Sequence, residues 1–345
     1  MIALEIAIVG ATGLVGQELL KILEERRFPA GSVRLFASDK AQSSEFFFSH
    51  QRLEVEEAGS DSFKNVDLAF FCDGADASRR LIPAATQAGA VVIDDSGLTT
   101  GDLTVPMVVP EVNADCIATH KGILGNPSCA AIQLAVALAP LHKISRIKRV
   151  VLSTYQPVSA SGTAAALKEL TSQARRVLEG RRVCPHMYSH QIAFNVLPEI
   201  DVFLDNGQTK EEWRIAEETR RVLGDDGIGI AATCVRVPVY FGQSQAVTVE
   251  FESAITPEEA RRALAQAPGV RILDDPSVSF YPQPWAASGL NQVFIGRIRR
   301  DTSKTDSLSL WMVCDNLRKG AALNAVQIAE EGVRHDWIKS KKRRS

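Results

Sequence analysis

The sequence lacks any apolar run of about 20 residues, the length that a membrane-spanning helix requires. Its first residues, MIALEIAIVGATG, have the pattern of a strand that enters a turn, and not of a charged segment followed by a cleavage site. We therefore expect a cytoplasmic protein that does not bind membranes.

Cysteine is sparse, and its spacing excludes two kinds of site. The six cysteines show neither a C-x-x-C spacing nor a paired histidine, which argues against a zinc site. A disulfide framework is typical of short secreted chains and does not fit this one. We expect no bound metal and reduced thiols at Cys72, Cys116, Cys129, Cys184, Cys234 and Cys314.

A large excess of charge is also missing. The net charge is −2, and five positive charges lie in the last seven residues, KSKKRRS, which leaves −7 on the rest of the chain. An acidic body disfavours nucleic acid as a partner. We interpret residues 339–345 as a basic, flexible tail.

Enough apolar material is present for two hydrophobic cores. The chain has 345 residues, of which 45% are hydrophobic, and a chain longer than about 250–300 residues usually divides into domains. In its first part, short apolar runs alternate with amphipathic stretches at Leu14–Arg27 and Ser78–Gln87. This alternation predicts an α/β domain with a parallel sheet. The apolar runs are LEIAIV, VRLFAS, DLAFFC and AVVIDDS.

The pattern changes at about Arg146 to longer, β-rich runs, interrupted by helical segments at Ala164–Leu178 and Lys210–Val222. These runs predict an α+β domain with a mostly antiparallel sheet and one layer of helices. A last helix, from about Arg318 to Val333, is expected to return to the first domain. We assign residues 1–127 with 318–338 to a Rossmann-type domain and residues 128–317 to a catalytic and dimerisation domain.

A glycine-rich turn links the first strand to the first helix. In IAIVGATGLVGQELL, Gly10, Gly13 and Gly16 permit a tight turn and a close approach of the backbone to a ligand. The helix that follows offers free N–H groups to a pyrophosphate. We therefore expect a dinucleotide here, with a purely structural turn as the alternative.

The end of the second strand indicates which dinucleotide binds. NAD sites usually place an acidic residue there, whereas this sequence has Ser38, Asp39 and Lys40. A hydroxyl and an ammonium group suit the 2′-phosphate of NADP, although Asp39 suits NAD. The residues favour NADP.

Cys129, in GNPSCAAIQLAVALAPLH, stands at the start of an apolar helix and has two interpretations. Free cysteine is often a buried core residue. A thiol at a helix N-terminus, however, is near the positive end of the helix dipole, which stabilises the nucleophilic thiolate. The position between the two predicted domains favours the nucleophile.

A set of motifs that spans nearly the whole chain resembles the aspartate-semialdehyde dehydrogenase family. The motifs occur in the order found in that family. They are VGATGLVGQELL, FFCDGADAS, VVIDDSG, VPMVVPEVNAD, GNPSCAAIQ, STYQPVSASG, QIAFNVLPEID, GQTKEEWRIAEETRRVL, TCVRVPVYFGQS and DNLRKGAALNAVQIAE.

The resemblance implies a Rossmann-type domain, a glyceraldehyde-3-phosphate-dehydrogenase-like second domain, and a homodimer formed through the second domain. It implies that Cys129 attacks a small-molecule aldehyde or acyl phosphate, that Gln156 orients the acyl group, and that Arg236 and Glu212 hold the carboxylate and ammonium of the substrate. It also implies further NADP-binding residues, at Thr12, Leu14, Val15, Ser159, Gly162 and Asn324.

The chain departs from the family pattern at the positions that are expected to transfer protons and to bind phosphate. Gln243 stands in the place of the family's general base, a histidine, and an amide accepts no proton at neutral pH. His190 is the nearest alternative. Thr100 stands where a phosphate-binding arginine is expected, and Arg214 replaces a lysine. Two smaller changes are Ser128 for an asparagine and Lys40 for an arginine.

Three hypotheses follow. The leading one is an NADP-binding family member with an altered site and weak or retuned activity. The second is a non-catalytic dimeric paralogue with a regulatory or assembly role. The third is a fully active aspartate-semialdehyde dehydrogenase that uses water or another side chain as its base.

Overall fold

Strand β1 (Leu4–Val9) lies inside a six-stranded parallel sheet and is buried on both faces. Ile6 and Ile8 belong to the hydrophobic core on one face, and Ala7 and Val9 belong to the core on the other. A nearly continuous apolar run is typical of parallel strands that are covered on both sides. The run LEIAIV thus places β1 in the middle of the sheet.

The computed structural model describes residues 3–37 and 45–341. The chain forms two compact units. The first contains the chain up to Ser128 and again from Ala321, and the second contains Cys129–Gly320. The sequence-based boundaries fell between residues 127 and 128 and between residues 317 and 318.

The sheet of the first unit has the order β5-β2-β1-β6-β7-β8, and every neighbouring pair is parallel. Strands β3 and β4 form a separate antiparallel hairpin. The predicted parallel α/β domain is confirmed. The elements after β1 are α1 (Leu14–Glu25), β2 (Ala30–Phe36), β3 (Phe46–Phe48), β4 (Gln51–Leu53), β5 (Val55–Glu56), β6 (Leu68–Phe71), α2 (Ala75–Gln87), β7 (Val91–Asp94), α3 (Pro110–Asn113) and β8 (Ile123–Gly125).

The sheet of the second unit is mixed and has the order β10-β9-β11-β14-β13-β12. Its three inner pairs are antiparallel, as predicted, whereas the edge pairs β10–β9 and β12–β13 are parallel. Helices α4, α6 and α7 pack together. The elements are α4 (Cys129–His142), β9 (Ile147–Gln156), α5 (Ala164–Leu178), α6 (Lys210–Leu223), β10 (Gly229–Arg236), β11 (Gln243–Phe251), α7 (Pro257–Gln266), β12 (Val270–Ile272), α8 (Pro284–Ala287), β13 (Val293–Arg300) and β14 (Ser307–Cys314).

The chain then re-enters the first unit. A π-helical turn, Arg318–Ala322, precedes α9 (Leu323–Arg334). Val326 and Ile328 of α9 join the core that also contains Leu19 and Leu23 of α1. The regular helix therefore begins five residues later than the predicted start at Arg318, because the π-helical turn comes first.

The described part of the predicted tail, residues 339–341, contacts the first unit. Ser340 is buried, and the backbone N–H of Lys341 donates to Asp67 Oδ1 at 2.6 Å. Residues 339–341 are therefore anchored to the first unit, because the chain there pairs with a buried carboxylate; the remaining tail residues lie outside the described ranges. Over residues 3–37 and 45–341, no helix combines the length and the apolar character needed to cross a membrane.

Candidate active site

Cys129 is the first residue of α4, as expected, and its thiol lies against the end of β14. The Cys129 and Cys314 sulfur atoms are 3.7 Å apart. Space for the thiol depends on Gly320, because a Cβ atom added there would collide with Cys129 Sγ. The nucleophile candidate thus occupies a tight position in the second unit.

The surroundings of Cys129 oppose ionisation of the thiol. The hydrogen bond with Cys314 and burial raise the pKa of Cys129 well above its ordinary value, and the negative charges of Asp315 and Glu211 act in the same direction. The sequence argument considered only the helix N-terminus, which favours the thiolate. In the absence of a base, the Cys129 thiol is therefore protonated at neutral pH.

Gln156, the last residue of β9, is buried beside Glu211. Its Nε2 donates to Glu211 Oε1 at 3.1 Å and to Thr154 Oγ1 at 3.4 Å. The contact with Glu211 fixes the direction of the Gln156 amide. These two bonds use both protons of the Gln156 amide nitrogen, and the longer one, to Thr154, is the weaker.

The two adjacent glutamates of α6 make different contacts. Glu212 closes the capping box of α6, because its Oε2 accepts the N–H of Thr209 at 2.8 Å and its Oε1 accepts the N–H of Cys234 at 2.9 Å. Both of its oxygens are therefore used by the fold. Glu211 instead faces Gln156, and burial raises the pKa of its carboxyl.

Glu212, for which a substrate-binding role was expected, is thus held by backbone N–H groups, and Glu211 is the glutamate that contacts Gln156. The sequence contained the signal for this correction. Thr209 and Glu212 have the T-x-x-E spacing of a capping box at a helix N-terminus, which assigns Glu212 to the helix end.

Two arginines lie near this carboxylate. Arg236, the last residue of β10, is buried, and its Nη1 donates to the carbonyl of Pro157 at 2.7 Å. Burial lowers the pKa of the Arg236 guanidinium, while the charge of Glu211 raises it. Arg214 donates from Nε to Oε1 of the fully buried Glu218 at 2.6 Å. The Arg214 charge is therefore balanced within α6.

Gln243 is the first residue of β11 and stands opposite Cys314 in the antiparallel pair β11–β14. It is 1% exposed, and its Nε2 has no hydrogen-bond partner in the described parts of the chain. Two residues further along β11, Gln245 donates to the carbonyl of Ala130 at 2.9 Å and to Gln133 Oε1 at 3.0 Å. These bonds hold the first turn of α4 against β11.

Other predicted residues of the second unit have separate positions. His190, the alternative base, is exposed. Ser159 Oγ donates to Asn316 Oδ1 at 3.2 Å. Asn316 Oδ1 also accepts the N–H of Gly242, the residue before Gln243, at 3.0 Å. Gly162 ends a short turn with a φ of 77°, in the left-handed region that favours glycine.

The glycine-rich turn of the first unit forms a close backbone cradle. Gly10 has a φ of 89°, and a Cβ atom there would meet the backbone N of Asp73 at 2.6 Å. A Cβ atom at Gly16 would collide with the carbonyl of Gly10. Gly13 is the N-cap residue of α1. The first N–H groups of this helix, at Leu14 and Val15, have no partner within the helix. Thr12 lies between these glycines and is partly exposed.

The remaining predicted residues of the first unit do not all fit a binding role. Asn324 is fully buried and donates to Asn126 Oδ1 at 2.7 Å and to the carbonyl of Val108 at 2.9 Å, so it supports the fold. Thr100 follows β7 and is 2% exposed. Ser38 and Lys40 lie outside the described residues.

Two family models match the chain. The model "Semialdehyde dehydrogenase, NAD binding domain" matches residues 5–120, and the model "Semialdehyde dehydrogenase, dimerisation domain" matches residues 138–319. The first match contains the glycine cradle, and the second contains Gln156, Arg236 and Gln243.

Individual proteins are similar over nearly the full length. The aspartate-semialdehyde dehydrogenase of Aquifex aeolicus is 46% identical, over 96% of this chain and 99% of the relative. That of Bacillus subtilis is 43% identical, over 95% and 96%. The crystal structure of aspartate semialdehyde dehydrogenase II from Vibrio cholerae, complexed with ASA, is 39% identical with a TM-score of 0.92, over 96% and 98%. The chain therefore belongs to the aspartate-semialdehyde dehydrogenase family.

Proposed function

We propose that this chain is an NADP-dependent oxidoreductase that acts through Cys129 on aspartate semialdehyde, or on another small aldehyde or acyl phosphate, at a low rate. One observation carries the proposal. The thiol has a raised pKa, and the residue opposite its neighbour Cys314 is Gln243, an amide. Only the thiolate is nucleophilic, and an amide cannot generate it by accepting the proton.

Cys129 supplies the covalent step. Its sulfur attacks the aldehyde carbon to give a thiohemiacetal, and oxidation of this adduct gives a thioester that phosphate cleaves to the acyl phosphate. Bound NADP supplies the hydride acceptor. We propose that Gln156, held by Glu211, donates to the acyl oxygen in place of its long bond to Thr154. Gln243 offers a second buried donor but no base.

Substrate recognition rests on Arg236 and Glu211. A buried guanidinium suits the carboxylate of the semialdehyde, and a carboxylate suits its ammonium group. Fixed charges of both signs position a small zwitterion for attack. The Vibrio cholerae relative was solved in complex with ASA, which supports this class of substrate.

Phosphate binding is expected to be weak. Thr100 is neutral, and Arg214 is engaged by Glu218 at 2.6 Å. Neither side chain therefore offers an unengaged positive charge to phosphate. Weak phosphate binding and the missing base both lower turnover in the oxidative direction.

The cofactor proposal rests on the glycine cradle and on Ser38 and Lys40. The cradle is a tight backbone turn, because a Cβ atom at Gly10 or Gly16 would collide with neighbouring backbone atoms, and a turn of this kind before a helix suits a pyrophosphate. The hydroxyl and ammonium suit the 2′-phosphate of NADP. Calorimetry should show tighter binding of NADP than of NAD, and Lys40→Ala should reduce the difference. Equal affinities in the unaltered protein would contradict the choice of NADP.

We also propose a homodimer formed by the second unit, since that unit matches a dimerisation model. Val151 on β9, Thr248 on β11 and Ser309 on β14 are neighbours on one sheet face and are partly exposed. A second copy of this face would cover them. Light scattering should give the mass of two chains, and Val151→Asp should give the mass of one. A monomeric unaltered protein would contradict the proposal.

A fully active enzyme is the second candidate, and Glu211 favours it. Its carboxyl has a raised pKa and interacts electrostatically with Cys129. A carboxylate with such a pKa can serve as a general base. In that case Glu211→Gln should abolish turnover and remove the acidic limb of the pH profile, whereas in the leading proposal it should mainly raise the KM for the semialdehyde.

Formation of NADPH from L-aspartate semialdehyde and phosphate tests the proposed function. We expect slow turnover that Cys129→Ser abolishes and that Cys116→Ser, a control in the first unit, leaves unchanged. NADP binding without any turnover, with all small aldehydes and acyl phosphates tried, would favour the non-catalytic paralogue. Activity that survives in Cys129→Ser would contradict the assignment of the nucleophile.

A further inference from the structure

Cys129 and Cys314 are 185 residues apart in the sequence, yet their sulfur atoms lie 3.7 Å from each other. Cys129 begins α4, and Cys314 ends β14. Both are free thiols. A disulfide has a sulfur–sulfur distance of roughly 2.0 Å, so a small movement of the two side chains would bring the sulfurs within bonding distance.

The two thiols differ in their access to solvent. Cys129 is partly exposed, whereas Cys314 is fully buried. A small oxidant therefore reaches Cys129 first. Once Cys129 is oxidised, the Cys314 thiol is the sulfur already in contact with it. This order of access is that of an attacking and a resolving cysteine.

We propose that Cys129 and Cys314 form a reversible disulfide when the protein meets a hydroperoxide. The small ionised fraction of Cys129 attacks one peroxide oxygen and the O–O bond breaks. Hydroxide (or alkoxide) leaves and takes up the proton that Cys129 had lost, and Cys129 becomes a sulfenic acid. The Cys314 sulfur then attacks the Cys129 sulfur and displaces hydroxide, which takes up the Cys314 proton as water. Overall, two thiols are oxidised and the peroxide is reduced to two molecules of water, or to one of alcohol and one of water.

The disulfide would withdraw the Cys129 sulfur from any reaction with a carbonyl substrate. It would also protect Cys129, because a sulfenic acid that is trapped by a thiol is not oxidised further to the irreversible sulfinic acid. A thiol reductant then restores both cysteines. The inference concerns two side chains of the second unit and does not require the chain to be a dehydrogenase.

Peptide mapping of the full chain after treatment with hydrogen peroxide tests the proposal. Trypsin releases Cys129 in the peptide of residues 122–143 and Cys314 in the peptide of residues 305–318. We expect these two peptides to be joined in a non-reduced digest, and separated by dithiothreitol. The number of titratable thiols should fall by two from the six in the sequence.

Two variants sharpen the test. In Cys314→Ser, we expect no joined peptide, and Cys129 should accumulate as the sulfinic acid at peroxide concentrations that leave it reversible in the unaltered protein. Cys234→Ser removes a different buried thiol of the same unit and should still form the joined peptide. If Cys314→Ser fails to fold, the mapping of the unaltered protein alone decides.

Three results would overturn the proposal. The first is sulfinic acid at Cys129 in the unaltered protein without any joined peptide. The second is a disulfide between Cys129 and another cysteine. The third is a joined peptide that survives in equal amount when the protein is unfolded in urea before oxidation, because proximity in the fold would then not be its cause.

Discussion

Gln243 stands opposite Cys314 across the β11–β14 ladder, and Cys314 contacts the Cys129 thiol at 3.7 Å. Directly opposite residues of an antiparallel pair point to the same face of the sheet. Gln243, which the resemblance puts at the position of the family's histidine, therefore lies on the same sheet face as Cys314, which contacts the candidate nucleophile Cys129.

Phosphate binding should improve when charge is restored at position 100. Thr100→Arg should lower the KM for phosphate, because it adds a positive charge where the resemblance implies a phosphate-binding arginine. Thr104→Arg adds the same charge at an exposed position of the same segment and should have no such effect. Thermal unfolding checks that both variants fold. An unchanged KM for phosphate in Thr100→Arg would contradict the prediction.

The Cys129 thiol should fit in its position only if residue 320 has no side chain. In Gly320→Ala the added Cβ would collide with Cys129 Sγ, and crowding of this kind typically costs about 1–3 kcal/mol. We expect a lower melting temperature and an altered rate of Cys129 alkylation by iodoacetamide. Gly59→Ala is the matched control, since a Cβ there meets no atom within 4 Å. If Gly320→Ala matched this control in both measurements, the predicted crowding would be refuted.

Substitutions of the two adjacent glutamates, Glu211 and Glu212, should have different effects. Glu212→Ala removes the capping box of α6 and two hydrogen bonds, so it should lower the free energy of unfolding, by about 1–2 kcal/mol for the cap alone. Glu211→Gln should leave stability nearly unchanged and raise the KM for the semialdehyde. Urea unfolding and steady-state kinetics separate the two effects. A raised KM in Glu212→Ala, together with a loss of stability in Glu211→Gln, would instead assign substrate binding to Glu212.

Stability should depend on the Arg146–Asp225 pair at acidic pH. Hydrogen bonds from Arg146 lower the pKa of Asp225 to about 2. A carboxylate with a depressed pKa stabilises the fold above its unfolded-state value, about 3.9, and loses this contribution as the pH falls through its folded-state value. The Arg146 side chain is half exposed, so solvent screening keeps this contribution small.

The measurement is a double-mutant cycle with Arg146→Ala and Asp225→Asn, followed by urea unfolding at several pH values. The coupling between the two residues should be present at pH 7 and should decrease between about pH 4 and pH 2. A coupling that is constant over this range would show that ionisation of Asp225 does not control it.

Features that depend on local patterns could be predicted from the sequence. The run LEIAIV, the glycine turn at Gly10 and the start of α4 at Cys129 follow from periodicity, backbone freedom and capping, and the structure has them where expected. Glu212 could also have been assigned from its capping box.

Features that depend on distant pairing could not be predicted in this way. The contact of Cys129 with Cys314 is set by how α4 packs on β14, and no local pattern encodes it. The same holds for the parallel pairing of β10 with β9, which depends on the path of the chain through α5 and α6. The π-helical turn at Arg318 interrupts a segment whose apolar spacing continues without a break.

Turnover of the unaltered chain and of Gln243→His, in the same assay of NADPH formation, tests the central claim most directly. If the amide at position 243 limits the reaction, the unaltered chain should turn over far more slowly than the ~10 per second that is ordinary for enzymes. Gln243→His should then be faster, by a factor that can approach the ~10²–10⁴ of a general base. Gln243→Asn, which keeps the amide, should stay slow. A rate near ~10 per second in the unaltered chain, or no gain in Gln243→His, would contradict the account.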